Sequence, residues 1–245
     1  MFPEGFLYRR LAGLAPCALL GVADGALVLR NKWQVSSLRD VFLSSHYWRL
    51  FEHIDERPAF IVDLGGHCGH FVVLCELILE ERFGQSNAEY LIVEGLAELV
   101  SGIHQTLSDT GISARCRVVH GLAGLRNGEG QLRSGAQNLL DASVVSGTGV
   151  ERGTKVPYVD LLRHIPDDQP IDILKVDIEG SEHDLIDNYP TLFERARLVA
   201  MEVHDVGRPI DRLLEGLEAA GLRPQLPHIR KGPHTLVIYK RDARS

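Results

Sequence analysis

The stretch Ile61-Val62-Asp63-Leu64-Gly65-Gly66-His67-Cys68-Gly69-His70-Phe71 decides the reading of this chain. Ile61 to Leu64 is a short apolar run suited to a buried strand, Gly65 and Gly66 interrupt it, and a helical apolar period starts at Phe71. Glycines at a strand-to-helix turn allow positive φ and a close backbone approach, and the helix that follows presents unpaired N–H groups. The turn is therefore expected to sit at a ligand site.

Working outward, β-rich apolar runs alternate with longer helical segments. Strands are expected over 60–64, 90–93, 117–119, 171–176, 198–203 and 234–239, and helices over 71–82, 96–109, 181–195 and 210–220. Such alternation specifies an α/β fold with a parallel sheet, and runs such as 171–176 are apolar on both faces, which places helices on both sides. The segment 121–154 is rich in Gly, Ser, Asn and Gln and reads as a loop with weak strands beside the cleft. Residues 56–245 are expected to form the α/β body, with residues 1–55 a helical lid segment packed on it.

Composition narrows the classes. The 245 residues are 44% hydrophobic and 24% charged, the proportions of an ordinary globular protein. A net charge of -7 opposes a nucleic-acid partner, whose affinity comes from clustered Lys and Arg; Arg9-Arg10 and Arg230-Lys231 are too short to supply it. Cys17, Cys68, Cys75 and Cys116 form no Cys-x-x-Cys pair and read as reduced thiols, which fits a cytoplasmic location. Arg9-Arg10 followed by the apolar run 11–23 has the outline of a secretory leader, but Gly13, Pro16 and Gly21 interrupt it. A packed helix and turn is expected there, with no membrane partner.

Asp63 sharpens the chemistry of the glycine turn. A carboxylate there repels a pyrophosphate and suits the amino group or sulfonium of S-adenosylmethionine, and the spacing departs from the dinucleotide G-x-G-x-x-G pattern. Asp63, Gly65, Gly66, His67 and Gly69 are thus candidate cofactor contacts. Glu94, at the end of the second strand, is placed to accept ribose hydroxyls. Two further strand ends are polar: Lys175-Val176-Asp177-Ile178-Glu179-Gly180-Ser181-Glu182 and Glu202-Val203-His204. If their strands are neighbours, Asp177, Glu179, Glu202 and His204 meet at one cleft.

The Asp63 turn, Glu94, Val156-Pro157-Tyr158-Val159-Asp160-Leu161-Leu162, the Lys175-x-Asp177-x-Glu179-Gly180-x-Glu182 block and Glu202-x-His204 together resemble the FkbM-type methyltransferases over about residues 35–240. The resemblance implies a class I Rossmann-like fold with a seven-stranded sheet and an antiparallel last strand. It implies S-adenosylmethionine as cofactor and O-methylation of a hydroxyl or carboxyl on a small molecule or sugar. It places Leu122 and Ala123 near the adenine and Asp177 at the cofactor. The chain departs from the family at Gly66-His67 in the turn, at Glu94-Gly95 after the second strand, and at Gly121 to Gly124.

Methyl transfer demands alignment of an acceptor and exclusion of water more than acid–base power. An alcohol must still lose its proton, so His204 is expected as base, with Asp177 as the alternative base or orienting group and Glu179 beside them. A divalent ion at these carboxylates is chemically feasible but not expected, because a Lys175 salt bridge to Asp177 or Glu179 is the simpler use of the charges. Trp33, Tyr47, Trp48 and the loop around Asn138 are candidates for the acceptor wall. A small-molecule acceptor is the expected partner, and a homodimer is compatible with the sequence. The alternatives are another displacement at the sulfonium, such as aminocarboxypropyl transfer or cyclisation, a nicotinamide-dependent oxidoreductase, and a non-catalytic nucleotide-binding protein.

Overall fold

The computed structural model describes residues 17–22, 25–43, 45–135, 138–145, 153–232 and 234–242. It opens with an antiparallel hairpin, β1 (Cys17–Val22) and β2 (Gly25–Leu29), instead of the helix and turn expected there. The physical reason is local: an Asp24-Gly25 turn signal between two runs of β-propensity favours a hairpin. The hairpin packs on the rest of the chain so closely that a Cβ on Gly25 would lie 2.0 Å from the Asp109 carbonyl oxygen. The helix α1 (Lys32–Leu38), a π-helical turn (Arg39–Leu43) and the helix α2 (Ser45–Phe51) follow. Asn31 caps α1 by accepting from the amides of Trp33 and Gln34 at 3.0 Å each.

The body then alternates as expected: β3 (Phe60–Leu64), α3 (His70–Phe83), β4 (Glu89–Glu94), α4 (Ala97–Asp109) and β5 (Cys116–His120). The stretch read as a loop with weak strands holds β6 (Glu129–Gly135) and β7 (Asn138–Val145), which join β8 (Thr154–Pro157) in a separate antiparallel sheet of order β7-β6-β8. β6 and β7 pair locally, Gly135 with Asn138, whereas β8 joins β6 from farther along the chain, Glu129 with Pro157, so no local period announces the third strand. Next come β9 (Ile171–Val176), α5 (Glu182–Asn188), α6 (Pro190–Arg195) and β10 (Ala196–His204). The single helix expected over 181–195 is two, because Pro190 bars its predecessor Tyr189 from helical backbone, and Tyr189 sits at φ -128, ψ 49. The chain closes with α7 (Ile210–Ala219), β11 (Leu222–Pro224), β12 (Ile229–Lys231) and β13 (His234–Arg241).

The main sheet runs β11-β13-β10-β9-β3-β4-β5, with β12 paired to β13 outside this path. Pairs β10/β9, β9/β3, β3/β4 and β4/β5 are parallel, while β13 is antiparallel to β10. This mostly parallel Rossmann-like sheet with an antiparallel β13 is the arrangement expected from the sequence. The two-residue strand period divides the core: Val62, Leu64, Leu91, Val93, Leu174 and Val176 face one apolar cluster with α5 to α7. Ile61, Tyr90, Ile92, Ile173 and Leu198 face the other with α2, α3, α4 and the hairpin. The consequence for function lies at the carboxyl ends: β3 and β9 are neighbours, as are β9 and β10, so the glycine turn, Asp177 and His204 project from one edge of the sheet. No helix among the described residues is long and apolar enough to cross a membrane.

Candidate active site

The turn after β3 is built by packing within the chain. Gly65 has φ 83, and a Cβ there would lie 1.7 Å from the Asp177 carbonyl oxygen, so only glycine lets the two strand ends meet. The amides of Gly65 and Gly66 both donate to the Val93 carbonyl, at 2.9 and 3.1 Å, which bends the turn over the end of β4. Gly69 has φ 76 and leads into α3. His67 is left-handed without being glycine, at φ 47. Such a residue carries a backbone cost of about 1–3 kcal/mol and concentrates at functional sites.

Asp63 and Lys175 are register partners on β3 and β9, and both are buried. Lys175 Nζ lies 3.1 Å from Asp63 Oδ1 and 3.7 Å from Asp177 Oδ2, and it donates to the Gly65 carbonyl at 2.6 Å. Burial alone would depress the lysine, but the Asp63 and Asp177 carboxylates raise its pKa overall. Asp63 itself is raised by burial, against the pull of Lys175. The carboxylate expected to face a cofactor therefore faces Lys175 first and has no exposed surface. The reason is the strand register, which sets the two charges on the same side of adjacent strands. Lys175 pairs with Asp177 as the sequence suggested, whereas Glu179 pairs elsewhere.

Glu94 ends β4 and staples two loops together. One oxygen accepts from the His67 amide and the other from the Leu96 amide, both at 2.8 Å. Burial outweighs these donors and pushes the carboxyl up to about 7. Around the same turn both ring nitrogens of His67 and of His70 are buried without a hydrogen-bond partner. Burial holds His67 down to about 4 and His70 down to about 3, so both are neutral at physiological pH. Leu122 and Ala123 are buried beside β8, and the Leu122 N–H and C=O are both taken, by the Pro157 carbonyl and the Val159 amide at 2.9 Å each. Leu122 can thus offer a ligand its side chain and no free backbone group.

At the ends of β9 and β10 the polar residues do converge. Asp177 Oδ2 accepts from the buried Tyr47 hydroxyl at 3.5 Å. Glu179 adopts φ 54, and its Oε2 lies 3.2 Å from His204 Nε2. His204 Nδ1 lies 2.8 Å from Glu182 Oε1, and Glu182 is wholly buried. Burial would lower the imidazole, but the hydrogen bonds to Glu179 and Glu182 overrule it and push His204 up to about 11. His204 is then an imidazolium with both N–H groups donated. Both ring nitrogens thus face a carboxylate, Nε2 towards Glu179 and Nδ1 towards Glu182, and Asp177 stands beside them as the other candidate base.

Of the aromatics expected to wall the cleft, only Tyr47 reaches it. Trp48 is exposed and donates to the Phe42 carbonyl at 2.8 Å, and Trp33 lies under the Lys32 ammonium at 4.2 Å. The Asn138 side chain lies outside the described residues. Sequence reasoning missed His234, whose ring centroid is 4.3 Å from that of His204, because their pairing across β10 and β13 depends on a register that no sequence period specifies. It also missed His70, for which its place behind Gly69 was the available signal.

With this geometry in hand, comparison with known proteins is decisive on one point. Residues 114–230 match the FkbM methyltransferase domain. The family resemblance read from the sequence is thus borne out over these residues, just under half of the chain. The FkbM match includes Leu122, Ala123, Asp177, Glu179 and His204, and it starts after the glycine turn and Glu94. A crystal structure of the methyltransferase FkbM from Methylobacillus flagellatus is similar with TM-score 0.57 and 16% identity, over 80% of this chain and 47% of that one. This chain therefore spans about half the length of that FkbM protein. The METTL16 methyltransferase domain is similar with TM-score 0.52 and 12% identity, over 99% of this chain and 93% of that one. At such identities the likeness concerns the fold alone. No curated protein matches the sequence.

Proposed function

We propose that the chain is an S-adenosylmethionine-dependent methyltransferase that methylates an oxygen of a small molecule or sugar. The observation that carries this reading is the convergence of the Asp63 to Gly69 turn, Glu94, and the Asp177, Glu179 and His204 group at one edge of an FkbM-type sheet. The unpartnered ring nitrogens of His67 and His70 at the turn fit the cofactor, because its amino acid end carries both donors and acceptors. His67 and the turn Gly65, Gly66 and Gly69 would hold that end, Glu94 the ribose, and Leu122 and Ala123 the adenine. When bound, the cofactor supplies a methyl group on a sulfonium, already activated for displacement.

The protein's part is placement and proton management. Asp177 receives the proton of an acceptor hydroxyl at Oδ2, the atom that already accepts from Tyr47, and Lys175 stabilises that carboxylate from behind. His204 acts through Glu179, which it holds in place, and is a positioning residue. Tyr47, buried above Asp177, keeps water from the acceptor side. The protein is proposed to act in the cytoplasm on a small-molecule acceptor, without nucleic acid or membrane.

Calorimetry with S-adenosylmethionine, S-adenosylhomocysteine and NAD(H) tests the reading directly. Binding of the first two with no heat from NAD(H) supports it, whereas binding of NAD(H) alone overturns it. Turnover with a found acceptor must release S-adenosylhomocysteine. Methylthioadenosine in its place would mean a different displacement at the sulfonium.

A further inference from the structure

The charged group at the ends of β9 and β10 holds more carboxylate than proton transfer requires. Asp63, Asp177, Glu179 and Glu182 gather there around the Lys175 ammonium and the His204 ring. Glu182 is fully buried, and its Oε2 has no hydrogen-bond partner. Asp63 and Glu182 are the buried members of the group, while Asp177 and Glu179 reach solvent, where a further cation could join them.

Three of these residues form a donor set. Asp177, Glu179 and His204 each place one ligating atom within 4.8 Å of the others. The His204 Nε2 to Glu179 Oε2 distance is 3.2 Å. Donors on adjacent corners of an octahedron with bonds of about 2.1 Å are separated by about 3.0 Å, so these two stand close to a chelating spacing. His204 is also fixed from behind, with Nδ1 held at 2.8 Å by the buried Glu182, the carboxylate–imidazole arrangement that aims the other nitrogen at a metal. Glu179 and Asp177 have side chains 36% and 28% exposed, so the open side of the set faces solvent.

We propose that Asp177, Glu179 and His204 bind one divalent cation of the Mn²⁺ class, the ion displacing the proton from His204 Nε2 to solvent while Nδ1–H stays on Glu182. Two carboxylates and one imidazole suit such an ion better than a soft or an all-oxygen one. For its role the ion rests on the methyltransferase reading: it would receive the acceptor oxygen and acidify the hydroxyl there. Its binding does not depend on that reading. A second set, Glu202, His204 and His234, also has its donors within 4.8 Å, but His204 Nε2 already faces Glu179, which favours the first.

The test is a Mn²⁺ titration of the full chain after chelator treatment, followed by loss of the free-ion electron paramagnetic resonance signal. One saturable site per chain is expected, weakened about tenfold or more in Glu179→Gln and Asp177→Asn and less than about threefold in His234→Ala. Melting curves establish that each variant is folded. Should Asp177→Asn not fold, the more exposed Glu179→Gln decides. Absence of saturable binding up to about 1 mM, or a larger loss in His234→Ala than in Glu179→Gln, overturns the proposal. Calorimetry with S-adenosylhomocysteine on metal-free protein separates the two readings: cofactor binding without Mn²⁺ binding removes the ion alone, and the converse removes the methyltransferase alone.

Discussion

Glu94 ties cofactor affinity to pH, and it does so with opposite signs for binding and for stability. Its carboxyl is pushed by burial from the ordinary 4.5 up to about 7, despite two backbone donors at 2.8 Å. Below pH 7 the group is therefore largely neutral, and one of its oxygens carries a proton where a ribose hydroxyl needs an acceptor. If binding restores the ionised form fully, affinity at about pH 5.5 is weaker than at about pH 8.5 by a factor approaching 30. The folded protein behaves in reverse. A folded pKa raised above the unfolded one gives a contribution that is complete below 4.5 and is lost as pH climbs through 7. The loss amounts to about 3 kcal/mol across that window.

Glu94→Gln removes both trends at once. Calorimetric titration with S-adenosylhomocysteine over pH 5.5 to 8.5 should give a sloping affinity for the parent and a flat one for the variant, and urea melts should diverge in the opposite direction. The amide has one acceptor oxygen for two backbone donors, so the variant binds less tightly than the parent at high pH. Equal slopes in both proteins would refute the assignment of Glu94 to the ribose. A parent whose stability rises between pH 5 and 7 by an amount that the Gln variant loses would refute the burial argument.

Three further outcomes follow from the same coordinates. Asp177→Asn should lower turnover at least about 100-fold while cofactor affinity measured by calorimetry stays within a few-fold, since it removes the proton acceptor and spares the turn. Gly65→Ala meets the Asp177 carbonyl at 1.7 Å and a φ of 83, so it should cost more than about 2 kcal/mol in a denaturant melt and abolish cofactor binding with it. Arg115→Ala strands Glu76, a fully buried carboxylate that also accepts from Tyr90 and Ser86, and should cost about 3 kcal/mol with turnover of the remaining folded protein unchanged. Because Arg115, Ser86 and Tyr90 hold Glu76 low against its burial, the parent's excess stability over Arg115→Ala should shrink as pH falls into the acid range.

What was legible in the sequence was what local pattern determines. β3, β9 and β10 are apolar on both faces because both faces are covered, and that two-sidedness is visible without a structure. The polar residues that end these strands could be set at one edge as soon as the strands were taken as neighbours. The small β7-β6-β8 sheet was legible only as weak strands in a loop, since β8 pairs with β6 from far along the chain, Leu132 with Thr154, and polar residues interrupt the apolar runs. The break at Tyr189 was readable from Pro190, and the hairpin at the start from Asp24-Gly25. The protonation of His204 was not, because it depends on Glu182, 22 residues away on a helix start that lies against the end of β10.

Lys175 shows why the cofactor turn and the proton acceptor form one structure. A single ammonium touches the Asp63 carboxylate, the Gly65 carbonyl and the Asp177 carboxylate, at 3.1, 2.6 and 3.7 Å. Any ligand that draws the Gly65 turn outward must lengthen the first two contacts or carry the lysine along, and either move alters the field at Asp177. Removal of the charge would leave Asp63 buried without a counter-ion, a loss of several kcal/mol, so the residue cannot drift without endangering the fold. The strand register that sets Asp63 against Lys175 is thus the same feature that holds the Lys175 ammonium beside Asp177.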